Sequence, residues 1–109
     1  SRLASQIVAP GELPLFFDDL GCLAGFLKKG RVPEGAVVFV ADHRTGAWVR
    51  ADRAVYTRVP TLHTPMGSHL VAHASASSRD EDAVARGGTA VGNDEFFGPA
   101  APGPGGPRP

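Results

Sequence analysis

The sequence predicts a small α+β domain made of duplicated ββαβ units, with short helices packed on small mixed or antiparallel sheets. Three observations carry that expectation. The first residues alternate with the two-residue period of a strand, Leu20, Leu23 and Leu27 fall at helical spacing, and the same order of extended and helical segments returns in the second half. The halves share this order without sharing residues, so the repeat is one of pattern.

Taken in order, Leu3, Ser5 and Ile7 alternate with Ala4, Gln6 and Val8, and Pro10-Gly11 marks a turn. Residues 12–17 read as a second strand, which Pro14 places at a sheet edge. Asp18 is the expected N-cap of the first helix, with Asp19 near its positive end. Lys28-Lys29-Gly30 closes that helix with cations and a C-cap glycine. Gly21 and Gly25 weaken it, each by ~1 kcal/mol against Ala, and let another backbone or a ligand come close. Residues 36–41 are a continuous apolar run, expected to be a strand buried on both faces. A polar turn over 42–46 leads to a short strand around Trp48, and 52–56 fits either a helical turn or more strand. Pro60 and Pro65 keep 57–65 extended.

Residues 68–74 read as a strand. Ser78-Arg79-Asp80-Glu81 matches a capping box that opens a short helix, stopped by Gly87-Gly88. Residues 89–91 form a last strand, and Glu95-Phe96-Phe97 is expected to pack back onto the sheet. The domain therefore spans 1–97, in halves of about 1–45 and 46–97. From Gly98 onward nine of twelve residues are Gly or Pro, a composition expected to stay disordered.

A chain of 109 residues is one domain at most. Lys+Arg and Asp+Glu both total 11, so the formal net charge is zero. Nucleic acid is not an expected partner, because neutralising phosphates takes a basic excess, and no polybasic membrane footprint is present. Cys22 is the single cysteine, which excludes an intrachain disulfide. No apolar run approaches the ~18 residues of a membrane span. The chain opens in what already reads as a strand, so an upstream segment is expected.

The residues suited to metal chemistry are few. Cu(I) selects thiolate, thioether and imidazole, and the chain has one cysteine, one methionine and four histidines. The notable cluster is His63-Thr64-Pro65-Met66-Gly67-Ser68-His69, in which the only methionine lies three residues from a histidine on each side. A loop broken by Pro and Gly can fold such side chains around one ion. The plain alternative is that Met66 fills a gap in the core and the histidines are exposed. His69 and His73 would share a strand face with Cα atoms ~13 Å apart, too far for one ion. His73 is expected at the surface, and His43, beside Asp42 in a polar turn, in solvent. Cys22 lies in the first turn of the first helix, where a thiolate is favoured, although a cysteine flanked by leucine also suits a small core position. Asp18-Asp19 reads as a helix cap rather than an acid/base pair. No nucleophile elbow, phosphate loop, CxxC or HExxH is present.

Several stretches together resemble the NosL family of nitrous-oxide-reductase accessory proteins. Phe16-Phe17-Asp18-Asp19-Leu20-Gly21-Cys22-Leu23 is similar to that family's FDDxGC segment. Val38-Phe39-Val40-Ala41-Asp42, followed by Thr45-Gly46-Ala47-Trp48-Val49-Arg50-Ala51 and then Ala54-Val55-Tyr56, is similar to its VxD…TGxWxxA stretch. Thr64-Pro65-Met66-Gly67 matches its TPMG, and the order and spacing hold over about residues 2–97. The resemblance implies a pair of ββαβ units in a periplasmic or extracytoplasmic protein, often a lipoprotein, that binds Cu(I) as cargo. It implies delivery to a copper enzyme or its assembly complex. Any membrane attachment would then be a lipid anchor outside this chain. By this resemblance Met66 of TPMG is the best metal-ligand candidate, and Cys22 matches the cysteine of the first motif. A Cys-Gly-Met type segment usual in the family falls ahead of Leu3. Without its ligands, the remaining ones would bind more weakly or close the site between two chains, as a homodimer.

The expectation that follows is a Cu(I) metallochaperone, not an enzyme, with Met66 and His69 as ligands and Cys22 or His63 as third donors. The alternative is a NosL-like protein-interaction module that binds no metal itself. The fold also resembles the domain of alkylmercury lyases, but their chemistry takes paired cysteines and one cysteine does not suffice.

Overall fold

The computed structural model describes residues 2–30 and 32–94. The expected packing of Glu95-Phe96-Phe97 and the Gly/Pro-rich stretch 98–109 lie outside the described residues. Two small antiparallel sheets and two helices make an α+β fold. The first half runs through β1 (Ser5–Val8), β2 (Leu15–Phe17), helix α1 (Leu20–Lys29) and β3 (Val37–Ala41), followed by β4 (Trp48–Arg50). The second half runs through β5 (Val55–Arg58), β6 (Leu70–His73), α2 (Ala76–Glu81), a 3-10 turn at Ala83–Ala85, and β7 (Thr89–Val91).

Each half follows one path. The first strand becomes the centre of its sheet, a hairpin adds the second on one side, and the helix carries the chain to a third strand on the other side. The sheet orders are β2-β1-β3-β4 and β6-β5-β7, and every neighbouring pair is antiparallel. The short strand around Trp48, expected to open the second half, instead pairs with β3, with Val40 opposite Val49. The opening role falls to Val55–Arg58, within and just beyond the segment the sequence leaves undecided.

The core draws on both halves. Ile7, Leu20, Leu23 and Val40 pack with Ala51, Ala54, Tyr56, Leu70 and Ala72 in one cluster. Leu20 and Leu23 are the buried stripe of α1, and Phe17 and Phe26 meet as a tilted pair at 5.5 Å between ring centroids. β3 is less enclosed than its apolar run suggests, with only Val40 and Ala41 buried, whereas β6 is buried at all four residues. The reason lies at the end of β6, where Asp42 and Ala72 form an isolated parallel bridge and the His43 N–H donates to the Ala72 carbonyl. The first half of the chain therefore pairs with the free edge of β6, and the side chains on both faces of that strand are buried.

The helix caps also shift from their expected places. Asp19, not Asp18, is the N-cap of α1, its carboxylate accepting from the Gly21 N–H. Ser75, not Ser78, caps α2 and accepts from the Ser78 N–H, which leaves the Ser78 hydroxyl free to bond elsewhere. Tyr56 sits in the core at 1% exposure with its hydroxyl donating to the Ala51 carbonyl. Tyr56→Phe keeps the ring and removes that donor, and is expected to cost about 1–2 kcal/mol, seen as a lower urea midpoint with an unchanged slope.

Candidate functional site

The loop carrying Met66 is fixed by a carboxylate from a distant part of the sequence. Asp19 is fully buried, and its Oδ1 accepts from the Gly21 N–H at 2.8 Å. Its Oδ2 accepts from the Met66 N–H at 2.7 Å and from the Ser68 N–H at 3.5 Å. Burial alone would raise the carboxyl's pKa, but the bonds from Ser68, Met66, Thr64 and Gly21 outweigh it and hold it at about 2. What comes close at Gly21 is a side chain rather than a backbone or ligand, since a Cβ there would stand 2.7 Å from the Ser68 Cβ. At Gly25 nothing lies within 4 Å of such an atom. The TPMG loop thus rests on the first turn of α1, the turn that contains Cys22.

Within this arrangement Met66 is 70% exposed, so it is not a core filler. Cys22 is a free, half-buried thiol. The Met66 and Cys22 backbones are both tied to Asp19, Met66 through the carboxylate and Cys22 through its N–H to the Asp19 carbonyl at 3.0 Å. His69 is half-buried at the other end of the loop, and its backbone takes the left-handed conformation at φ 62°. A residue with a Cβ is strained there, by about 1 kcal/mol or more. Two bonds hold it: its N–H donates to the Thr64 hydroxyl at 3.0 Å, and its Nδ1 lies 2.8 Å from the Leu62 carbonyl oxygen. A carbonyl only accepts, so Nδ1 carries the proton and Nε2 is the nitrogen left for a ligand. His63 is exposed on the same loop. The structure therefore ties the backbones of Met66 and Cys22 to one residue, Asp19, and places His63 in the middle and His69 at the end of the loop between β5 and β6.

Two histidines set aside in the sequence stand elsewhere than expected. His73 is completely buried, not at the surface, and His43 is half-buried and bonded, not solvated. His73 Nε2 lies 2.8 Å from Asp82 Oδ2, and His43 Nδ1 lies 2.7 Å from the same oxygen. Burial pushes the Asp82 carboxyl up, but hydrogen bonds from His43, His73 and the Val84 N–H outweigh it and bring the pKa below the ordinary carboxylate range. The two rings meet edge to face at 6.2 Å. Among the described residues, these three are the group of His, Cys, Asp and Glu side chains whose donor atoms all lie within 4.8 Å of one another.

The sequence conceals this cluster because its members come from the β3–β4 turn, the end of β6 and the junction after α2. Strand periodicity assigns His73 a face of its own sheet and says nothing of the first half pairing with that strand's edge. Asp82, following Asp80 and Glu81, reads as one more charge at a helix end. The one usable signal is that Asp82 stands just past the charged helix, where it caps the 3-10 turn by accepting from the Val84 N–H.

No family model, curated protein or solved structure matches the chain. Among the described residues, no helix is long and apolar enough to cross a membrane.

Proposed function

We propose that this chain is a Cu(I)-binding accessory protein, not an enzyme, which holds the ion as cargo and delivers it to a partner. In this reading it acts outside the cytoplasm, and the partner is a copper enzyme such as nitrous oxide reductase or its assembly machinery. Met66 and His69 are the ligands, with Cys22 or His63 as a third donor. The observation that supports it most is the exposure of Met66 on a loop whose backbone is pinned by a buried carboxylate. A core methionine would be covered, whereas this one is presented to solvent on a loop whose backbone Asp19 fixes. A soft donor presented at the surface suits an ion that accepts low coordination and has to be passed to another protein. The ring of His69, oriented by the Leu62 carbonyl, offers Nε2 in the way that outer hydrogen bonds orient metal-binding imidazoles.

A second reading, a protein-interaction module that binds no metal, draws on a different feature. Leu13 (88% exposed), Leu15 (43%) and Phe16 (64%) crowd the β2 edge of the first sheet. An apolar sheet edge of this kind is a surface on which another protein can add.

Anaerobic Cu(I) titration against a colorimetric chelator separates the two. The parent chain is expected to compete for one equivalent, and Met66→Ala to bind at least tenfold more weakly, about 1.4 kcal/mol. A parent chain that does not compete, or a Met66→Ala variant that binds as well as the parent, would remove the metallochaperone reading.

A further inference from the structure

We infer that His43, His73 and Asp82 form a second metal site, specific for a divalent cation of the zinc type, distinct from the Cu(I) loop and fastening the two halves of the fold. The donor set is two imidazoles and one carboxylate. Magnesium and calcium favour oxygen throughout, and Cu(I) favours sulfur, whereas a mixed nitrogen and oxygen set suits zinc and its neighbours. Three protein donors also leave a fourth position, as in zinc sites that keep a water. The cluster meets solvent at His43, whose side chain is 16% exposed, while Asp82 is 8% exposed and His73 is closed off at 0%.

The geometry is already close to a coordination shell. Both rings point a nitrogen at one oxygen, Asp82 Oδ2, from 2.7 and 2.8 Å. Since a carboxylate accepts, those nitrogens carry the shared protons. A cation in their place would bond to the lone pairs of the same nitrogens, and the displaced protons would pass to the far ring nitrogens or to solvent. Bonds of about 2.0–2.1 Å in a tetrahedral arrangement separate donor atoms by roughly 3.3 Å, so each nitrogen would move about half an ångström away from Oδ2 while the two nitrogens, now within 4.8 Å, adjust towards the same separation. The carboxylate is meanwhile held by the Val84 N–H on Oδ1 at 3.0 Å, which leaves Oδ2 for the ion. On the fully buried His73, Nε2 is the ring nitrogen that meets a neighbouring side chain, and it faces the place the ion would occupy.

The site joins parts that lie far apart in sequence. His43 follows β3 of the first half, His73 ends β6 of the second, and Asp82 follows α2. An ion there would clamp the seam already made by the Asp42–Ala72 bridge.

The test is titration of the full chain with Co(II), followed by displacement with Zn(II), on the parent and on His43→Gln, Asp82→Asn, Met66→Ala and Cys22→Ser. One equivalent of Co(II) is expected to give visible d–d bands without a thiolate charge-transfer band, and Zn(II) to abolish them and raise the thermal midpoint. His43→Gln and Asp82→Asn should each weaken binding at least tenfold, with Met66→Ala and Cys22→Ser unchanged. His43 lies at the rim, so its variant carries the test if Asp82→Asn fails to fold. No Co(II) uptake by the parent, or uptake that survives in His43→Gln and disappears in Cys22→Ser, would overturn the site. The Cu(I) titration has no bearing on either result.

Discussion

Between pH 5 and pH 2 the fold will lose about 4 kcal/mol of stability, much of what a domain of this size has to spare. Asp19 and Asp42 are both buried, and each is held at a pKa of about 2 against an ordinary 3.8. For Asp42, burial again acts upward, and donors from Ala74, Thr45, Ser78 and Arg44 overcome it. Because the folded pKa is depressed, each carboxylate stabilises the fold fully above the unfolded value, and the contribution drains away as pH falls towards 2. A carboxyl moving from about 2 in the fold to 3.8 in the unfolded chain contributes roughly 2 kcal/mol. Asp82, lowered as well, adds in the same direction. Thermal melts followed by circular dichroism across this range check the point. A midpoint that stays level from pH 5 to pH 2 would show that these carboxylates are not held as described.

Asp42→Asn is expected to cost about 2–3 kcal/mol at neutral pH, although it changes one atom. The Asp42 Oδ1 accepts from the Arg44 and Thr45 N–H groups at 2.8 and 2.9 Å. Its Oδ2 accepts from the Ala74 N–H and the Ser78 hydroxyl, both at 2.8 Å. An amide nitrogen on the Oδ1 side would face two backbone donors. On the Oδ2 side the Ser78 hydroxyl can turn and accept, but the Ala74 N–H is left without its partner in a part-buried place. Either orientation leaves at least one donor unmet. The variant should also show a shallower loss of stability with acid, since one of the two depressed carboxyls is gone. Equal urea midpoints for parent and variant at pH 7 would count against this account.

The sequence exposes local features of the fold far better than the contacts between its halves. The period of Leu20 and Leu23, the turn at Pro10-Gly11 and the apolar run before Asp42 each place an element, because each depends on neighbours a few residues away. The caps slip for a definite reason. Asp18 and Asp19 are equally good N-caps alone, and only the loop that Asp19 also binds decides between them. Ser78 looks like the start of a capping box, but its hydroxyl is committed to Asp42, and the cap passes to Ser75. Among the candidate site residues, the motif around Met66 is visible because it is continuous. His73 is misplaced because it lies on a strand buried on both faces, whose free edge is paired by residues some thirty positions earlier. The same distance hides Asp82.

Asp19 reaches Met66 across 47 positions, and Asp42 reaches Ala74 across 32. Each half caps its own helix, but the second oxygen of each of these first-half carboxylates is taken up by backbone donors of the second. The chain therefore has to close its longest loops before its best hydrogen bonds exist, which puts much of the entropic cost early and the reward late. The repeated pattern invites a picture of two units folding apart and then docking. The shared core and the placement of these two side chains favour assembly as a single event instead.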